Sequence, residues 1–90
     1  MEARKMHTKT TDTYAMVDGP VENTVGHRTP GRFKVEFLSV SRVDGKLDKV
    51  YIKGPTLTVD GRLGKSSSAR TFFSDYPQWV LDFLQNEVDS

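Results

Sequence analysis

Two Asp-Gly dipeptides, Asp44-Gly45 and Asp60-Gly61, constrain this chain more than any other feature. Tight turns between antiparallel strands need backbone with positive φ, which Gly and Asp tolerate, so each dipeptide predicts a hairpin between its apolar flanks. The segments Val43-Asp44-Gly45-Lys46-Leu47-Asp48-Lys49 and Val59-Asp60-Gly61-Arg62-Leu63-Gly64-Lys65 match at an offset of sixteen residues. That period is too short for a repeat architecture and reads as two hairpins that use the same turn.

The strands follow from the alternation around those turns. Phe33, Val35 and Phe37 alternate with Lys34 and Glu36, which predicts a first strand over 33–43 with one buried face. The apolar parity then switches to Leu38 and Val40, so either a bulge lies near Phe37-Leu38 or the strand is covered on both sides there. The return strand is expected over 47–53, with Val50 and Ile52 on one face and Tyr51 on the other. Gly54-Pro55 is expected to end it, because Pro has no N–H for a ladder. A third strand over 56–59, a loop at Ser66-Ser67-Ser68 and a fourth strand over 69–73 complete the reading.

A helix is predicted over 76–88. Ser74 or Asp75 can cap it, and Pro77 suits its first turn, where a missing N–H costs nothing. Tyr76, Trp79, Val80, Leu81, Phe83, Leu84 and Val88 sweep an apolar arc of roughly 200°, whereas a helix on one sheet face needs a little over ~100°. The flank of Trp79 and Phe83 is therefore expected to meet something besides the sheet: the N-terminal segment, a second subunit or a partner.

Residues 1–31 hold nine apolar side chains and one aromatic, Tyr14, with no period, among many Thr, Gly and Pro. Such a composition cannot repay the ordering of its backbone, so this segment is expected to be a flexible, disordered N-terminal arm, with a turn at Asp18-Gly19-Pro20. The remaining 23 apolar residues lie in 32–90, the expected small domain. The predicted fold class is α+β: an antiparallel β-meander of three to four strands followed by one C-terminal α-helix packed on the sheet.

Several chemistries find no support in these residues. The chain has no cysteine, which removes disulfides, thiolate metal sites and a Cys nucleophile and fits a reducing, cytoplasmic setting. No apolar run approaches the roughly 20 residues of a membrane span, and no secretory signal is visible, so no membrane partner is expected. Gly61 to Ser66 ends like a phosphate-binding loop, but Val59 stands where that motif needs its first Gly. His7 and His27 both fall in the arm, which leaves Ser66, Ser67 and Ser68 without a base. Asp44, Asp48 and Asp60 lack calcium-loop spacing and read as turn residues. No catalytic residue, cofactor or metal is assigned, and an enzyme is not expected.

Charge separation is the feature that remains. The net charge of +1 hides nine basic and four acidic residues between 32 and 71, against four acids and no base between 72 and 90. A basic sheet can lie along a phosphate backbone, where Lys and Arg displace condensed counterions. The candidate nucleic-acid contacts, to DNA or RNA, are Lys34, Arg42, Lys46, Lys49, Tyr51, Lys53, Arg62, Lys65 and Arg70. Tyr51, between Lys49 and Lys53, is the candidate for stacking a base. The order of strands followed by one helix resembles, in topology only, small DNA-binding domains of the integrase-arm type and four-stranded binders of single strands. The plainer reading is a solvated face whose lysines discourage edge-to-edge association.

A second class of function, a protein-binding accessory or inhibitory module, rests on the helix. Trp79, Phe83 and Tyr76 on an over-wide arc form a candidate interface, to another protein or to a second copy of the chain, because large aromatics carry much of the energy at interfaces. The plainer reading there is that these rings complete a small core.

Overall fold

Polar alternation and turn chemistry build one antiparallel sheet in which β-strands from the N-terminal part of the chain form one edge. The computed structural model describes residues 8–24 and 31–89, with side chains described as far as Glu87. The described residues form six strands and one helix: β1 (Lys9–Ala15), β2 (Val21–Asn23), β3 (Arg32–Lys34), β4 (Phe37–Val43), β5 (Lys46–Leu57), β6 (Leu63–Phe72) and α1 (Gln78–Asp89). The α+β class and the single C-terminal helix agree with expectation; the sheet is larger, with six strands in place of three or four. β1 and β2 line one edge, β4 and β3 run beside them, β5 spans both of those, and β6 closes the other edge.

The largest departure is in the expected arm, where residues 9–15 and 21–23 are strands. β1 pairs with β4 from Lys9↔Val43 to Ala15↔Phe37, and β2 pairs with β3 from Val21↔Lys34 to Asn23↔Arg32. The sequence Lys-Thr-Thr-Asp-Thr-Tyr-Ala lacks apolar alternation because an edge strand with one solvated face needs only one or two inward anchors. Its β-branched threonines supply the extended preference. Tyr14 and Met16 are those anchors, packed against the core. A turn does form near the expected place, at Val17-Asp18, with Asp18 at φ 56°. Residues 1–7 and 25–30 of the expected arm lie outside the described residues.

The parity switch resolves as a bulge at Val35-Glu36, slightly earlier than Phe37-Leu38. Phe33 pairs with Thr56 and Phe37 with Lys53, so four steps on one side face three on the other. The bulge is held by Glu36 N–H donating to Lys53 O, Met16 N–H to Glu36 O and Val35 N–H to Pro20 O, each at 2.9 Å. Backbone from β5 on one side and from the β1–β2 connection on the other crowds in at this point. A Cβ on Gly54 would collide with the Lys34 carbonyl, and one on Gly19 with the Val35 carbonyl. Glycine is the residue that lets three backbones meet here.

Pro55 does not end its strand. β5 runs through it to Leu57, absorbing Thr56 and Leu57 of the expected third strand, because Pro55 lies opposite the β3–β4 bulge, where the ladder makes no demand on its nitrogen. Val59 lies in the loop after it, beside a turn closed by Gly61 N–H to Thr58 O at 2.9 Å. The expected serine loop is also strand: Ser66, Ser67 and Ser68 belong to β6, and the Thr56 and Ser66 hydroxyls bond at 2.8 Å. The first hairpin turn is as expected, with Asp44 at φ 52° and Gly45 at φ 81° between the paired Val43 and Lys46.

The core lies between one sheet face and α1. Phe33, Val35, Leu38, Val40, Val50, Ile52, Phe72, Val80 and Leu84 are buried. Helix α1 starts two residues later than expected: the Pro77 carbonyl accepts from Leu81 N–H at 3.3 Å, while Asp75 sits in the preceding loop at φ 51°. Tyr76 therefore precedes the helix and donates its hydroxyl to Phe73 O at 3.0 Å.

Candidate functional site

Side chains alternate across a strand, and directly paired residues share a face, so the register assigns every paired residue to one of two surfaces. The helix-side face carries Leu38, Val40, Val50, Ile52 and Phe72, all buried. The opposite face is not covered by the helix. Across its middle run the rows Thr13–Ser39–Tyr51–Thr71, Ala15–Phe37–Lys53–Ala69 and Thr11–Ser41–Lys49.

Charge on this open face is one-sided. Lys9, Arg32, Lys34, Lys46, Lys49 and Lys53 all belong to it by register, and no residue paired on it carries a carboxylate. Acids lie around it instead. Glu36 is in the bulge, Asp44 is in the hairpin turn, and Asp48 is the extra residue where β5 slips past Arg42. Like charges spread over a solvated face repel only modestly in water, so such an array is tolerated and remains attractive to an anion.

Two aromatic rings sit within this basic field. Phe37 and Tyr51 are diagonal neighbours on β4 and β5, with ring centroids 6.2 Å apart and planes at 73°. Phe37 is 37% exposed although it is a large apolar residue. An edge-on pair covers at most one of its four ring faces. Phe37 was assigned to the buried set by its alternation with Phe33 and Val35; the bulge at Val35-Glu36 turns it to the open side. The parity change was the available signal, and it left open which residue is flipped. Lys9 and Arg32 also join the face unanticipated, because Lys9 lay in the expected arm and Arg32 just before the first expected strand.

The nine residues singled out from sequence do not all converge. Lys34, Lys46, Lys49, Tyr51 and Lys53 share the open face. Arg42 and Arg70 fall on the helix-side face by register. Arg42 donates to Asp12 Oδ2 at 3.3 Å. The Arg70 guanidinium lies 4.6 Å from the Phe72 ring centroid and 3.8 Å from Glu22 Oε2. Arg62 is in the β5–β6 turn, where its N–H donates to Thr58 Oγ1 at 3.1 Å. Lys65 is exposed in the stretch of β6 where the register with β5 shifts.

The helix aromatics are engaged inside the chain. Trp79 Nε1–H donates to Glu22 Oε1 at 2.6 Å, and Phe83 meets Tyr14 edge-on at 5.0 Å between centroids. Tyr76, Trp79 and Phe83 all pack against the core. Of the occupants expected for the Trp79–Phe83 flank, the N-terminal segment is therefore the one found, supplying Tyr14 and Glu22. His7 and His27 lie outside the described residues.

Among the described residues the surface holds no enclosed pocket, and no helix is long and apolar enough to cross a membrane. No family model, curated protein or solved structure matches the chain, so the functional reading rests on this geometry.

Proposed function

We propose that this protein is a non-enzymatic module that contacts nucleic acid through the open face of its sheet. One observation carries the reading: six cations and two outward aromatic rings share a face on which no paired residue is acidic. Phosphates supply the matching charge, and release of their condensed counterions supplies a favourable term that depends on salt. Separation from α1 favours the same reading. Helix acids such as Asp82 and Glu87 lie on the far side of the sheet from the lysines, so they do not oppose a phosphate chain on the open face.

The reading that makes the helix flank a protein interface has less support, because Tyr76, Trp79 and Phe83 already pack within the chain. The test is titration of the full chain into labelled oligonucleotides across a salt series. Binding that weakens steeply with salt, and that weakens further with Lys49→Ala or Lys53→Ala, supports the proposal. Absence of binding to any nucleic acid at low salt sinks it.

A further inference from the structure

We infer that the occupant of the open face is a single strand, with a base laid against the Phe37–Tyr51 pair and its phosphates on the flanking lysines. The inference rests on the nucleic-acid reading above and goes beyond it, because that reading is silent on strandedness. Three observations favour a single strand over a duplex.

The first is the exposed aromatic surface. Bases in a duplex are stacked on one another and present only their edges, so an outward ring on the protein gains nothing from them. An unpaired base can cover such a ring, and stacking of this kind is tolerant of sequence because every base has a π-face. Phe37 and Tyr51 are set edge-on and leave ring surface uncovered by each other.

The second is the width of the face. The row Thr13–Ser39–Tyr51–Thr71 spans four paired strands, which at about 4.8 Å per strand spacing is ~14 Å of backbone before side chains are added. The major groove of B-DNA is about 12 Å wide and admits a helix or a two-stranded ribbon. Lys53 cannot be carried into the groove by a narrower part of the fold, since on β5 it pairs with Phe37 of β4 on one side and Ala69 of β6 on the other.

The third is the order of charge along β5. Lys49, Tyr51 and Lys53 occupy alternate positions on one face, so the ring is bracketed by cations about 13 Å apart at ~3.3 Å per residue. This places positive charge on both sides of a base seated at Tyr51. The phosphates before and after it then meet opposite charge, whichever direction the strand runs. Neither stacking nor phosphate contact reads the sugar, so single-stranded DNA and RNA are expected to bind alike.

The test compares oligothymidine, oligouridine and a DNA duplex of equal length, with the full chain at one low salt concentration. Oligothymidine and oligouridine are expected to bind within a few-fold of each other, and the duplex at least roughly ten-fold more weakly. Phe37→Ala and Tyr51→Ala should each weaken single-strand binding by roughly ten-fold, in line with one lost stacking contact. They should change duplex binding little, and Tyr51→Phe should restore single-strand affinity. A thermal melt of each variant confirms that the fold is kept. Duplex binding equal to or tighter than single-strand binding overturns the inference while leaving the nucleic-acid reading in place. So does an unchanged single-strand affinity in folded Phe37→Ala and Tyr51→Ala. Binding to none of the three overturns both.

Discussion

The Trp79 indole of α1 bonds to the Glu22 carboxylate of β2 at 2.6 Å, joining residues 57 positions apart in the chain. The second oxygen of the same carboxylate faces Arg70 of β6 at 3.8 Å. One side chain from the N-terminal part of the chain thus ties the helix and one sheet edge to the other edge. Glu22→Ala should destabilise the fold by about 2 kcal/mol, the usual cost of losing a hydrogen bond to a charged acceptor. Glu22→Gln keeps an acceptor and should lose less. Urea unfolding followed by Trp79 fluorescence checks both, and equal stability of Glu22→Ala and the parent would show that the bond contributes nothing.

The same relationship makes residues 8–24 part of the folded unit. A fragment beginning at residue 32 loses Tyr14, Met16 and Glu22 and exposes the β4 edge along its whole length. With roughly 60 residues it would also bury only about 60% of its unfolded surface. It should show no cooperative thermal transition. A fragment that melts as sharply as the full chain would return the N-terminal segment to the role of a dispensable arm.

Gly54 and Gly45 should respond to alanine for different reasons. At Gly54 a Cβ would overlap the Lys34 carbonyl, so backbone must move, and a loss of at least about 3 kcal/mol is expected. At Gly45 nothing lies within 4 Å, but φ is +81°, so the cost is conformational, about 1–2 kcal/mol. Chemical denaturation of the two variants should rank them in that order; a Gly54→Ala variant at parental stability would argue against the close approach at the bulge.

These positions also mark what the sequence made legible. The Asp-Gly turn at 44–45, the alternation around Val50 and Ile52 and the apolar arc of the helix are local patterns, and each predicted its element. The bulge at Val35-Glu36 is different: it depends on Gly19 arriving from the β1–β2 connection and Gly54 from β5, which no local pattern reveals. Once it is placed, Pro55 falls opposite an interrupted ladder and Phe37 turns outward. β1 was missed for a related reason, since a threonine-rich edge strand is stabilised by pairing with β4 and not by its own apolar content. The basic character of the sheet was legible from charge counting, but its division between faces was not, because register decides it. That division moved Arg42 and Arg70 off the candidate site and brought Lys9, Arg32 and Phe37 onto it.

Register also predicts which cations matter. Lys49→Ala should flatten the slope of log affinity against log salt by about 0.7 for a single strand, the contribution of one phosphate contact. Arg42→Ala removes an equal charge on the other face and should leave that slope unchanged. Its exposed pair with Asp12 should matter little for stability, within about 1 kcal/mol. Equal slopes for both variants would mean that overall charge, and not the face, governs binding.

The central claim is that one face of this sheet receives nucleic acid, and amide chemical-shift mapping addresses it most directly. Oligothymidine added to the isotope-labelled full chain at low salt should shift the amides of Lys34, Phe37, Ser39, Lys49, Tyr51 and Lys53. Those of Trp79, Val80 and Leu84 in α1 should stay in place. Shifts concentrated on α1, or spread evenly over both faces, would contradict it.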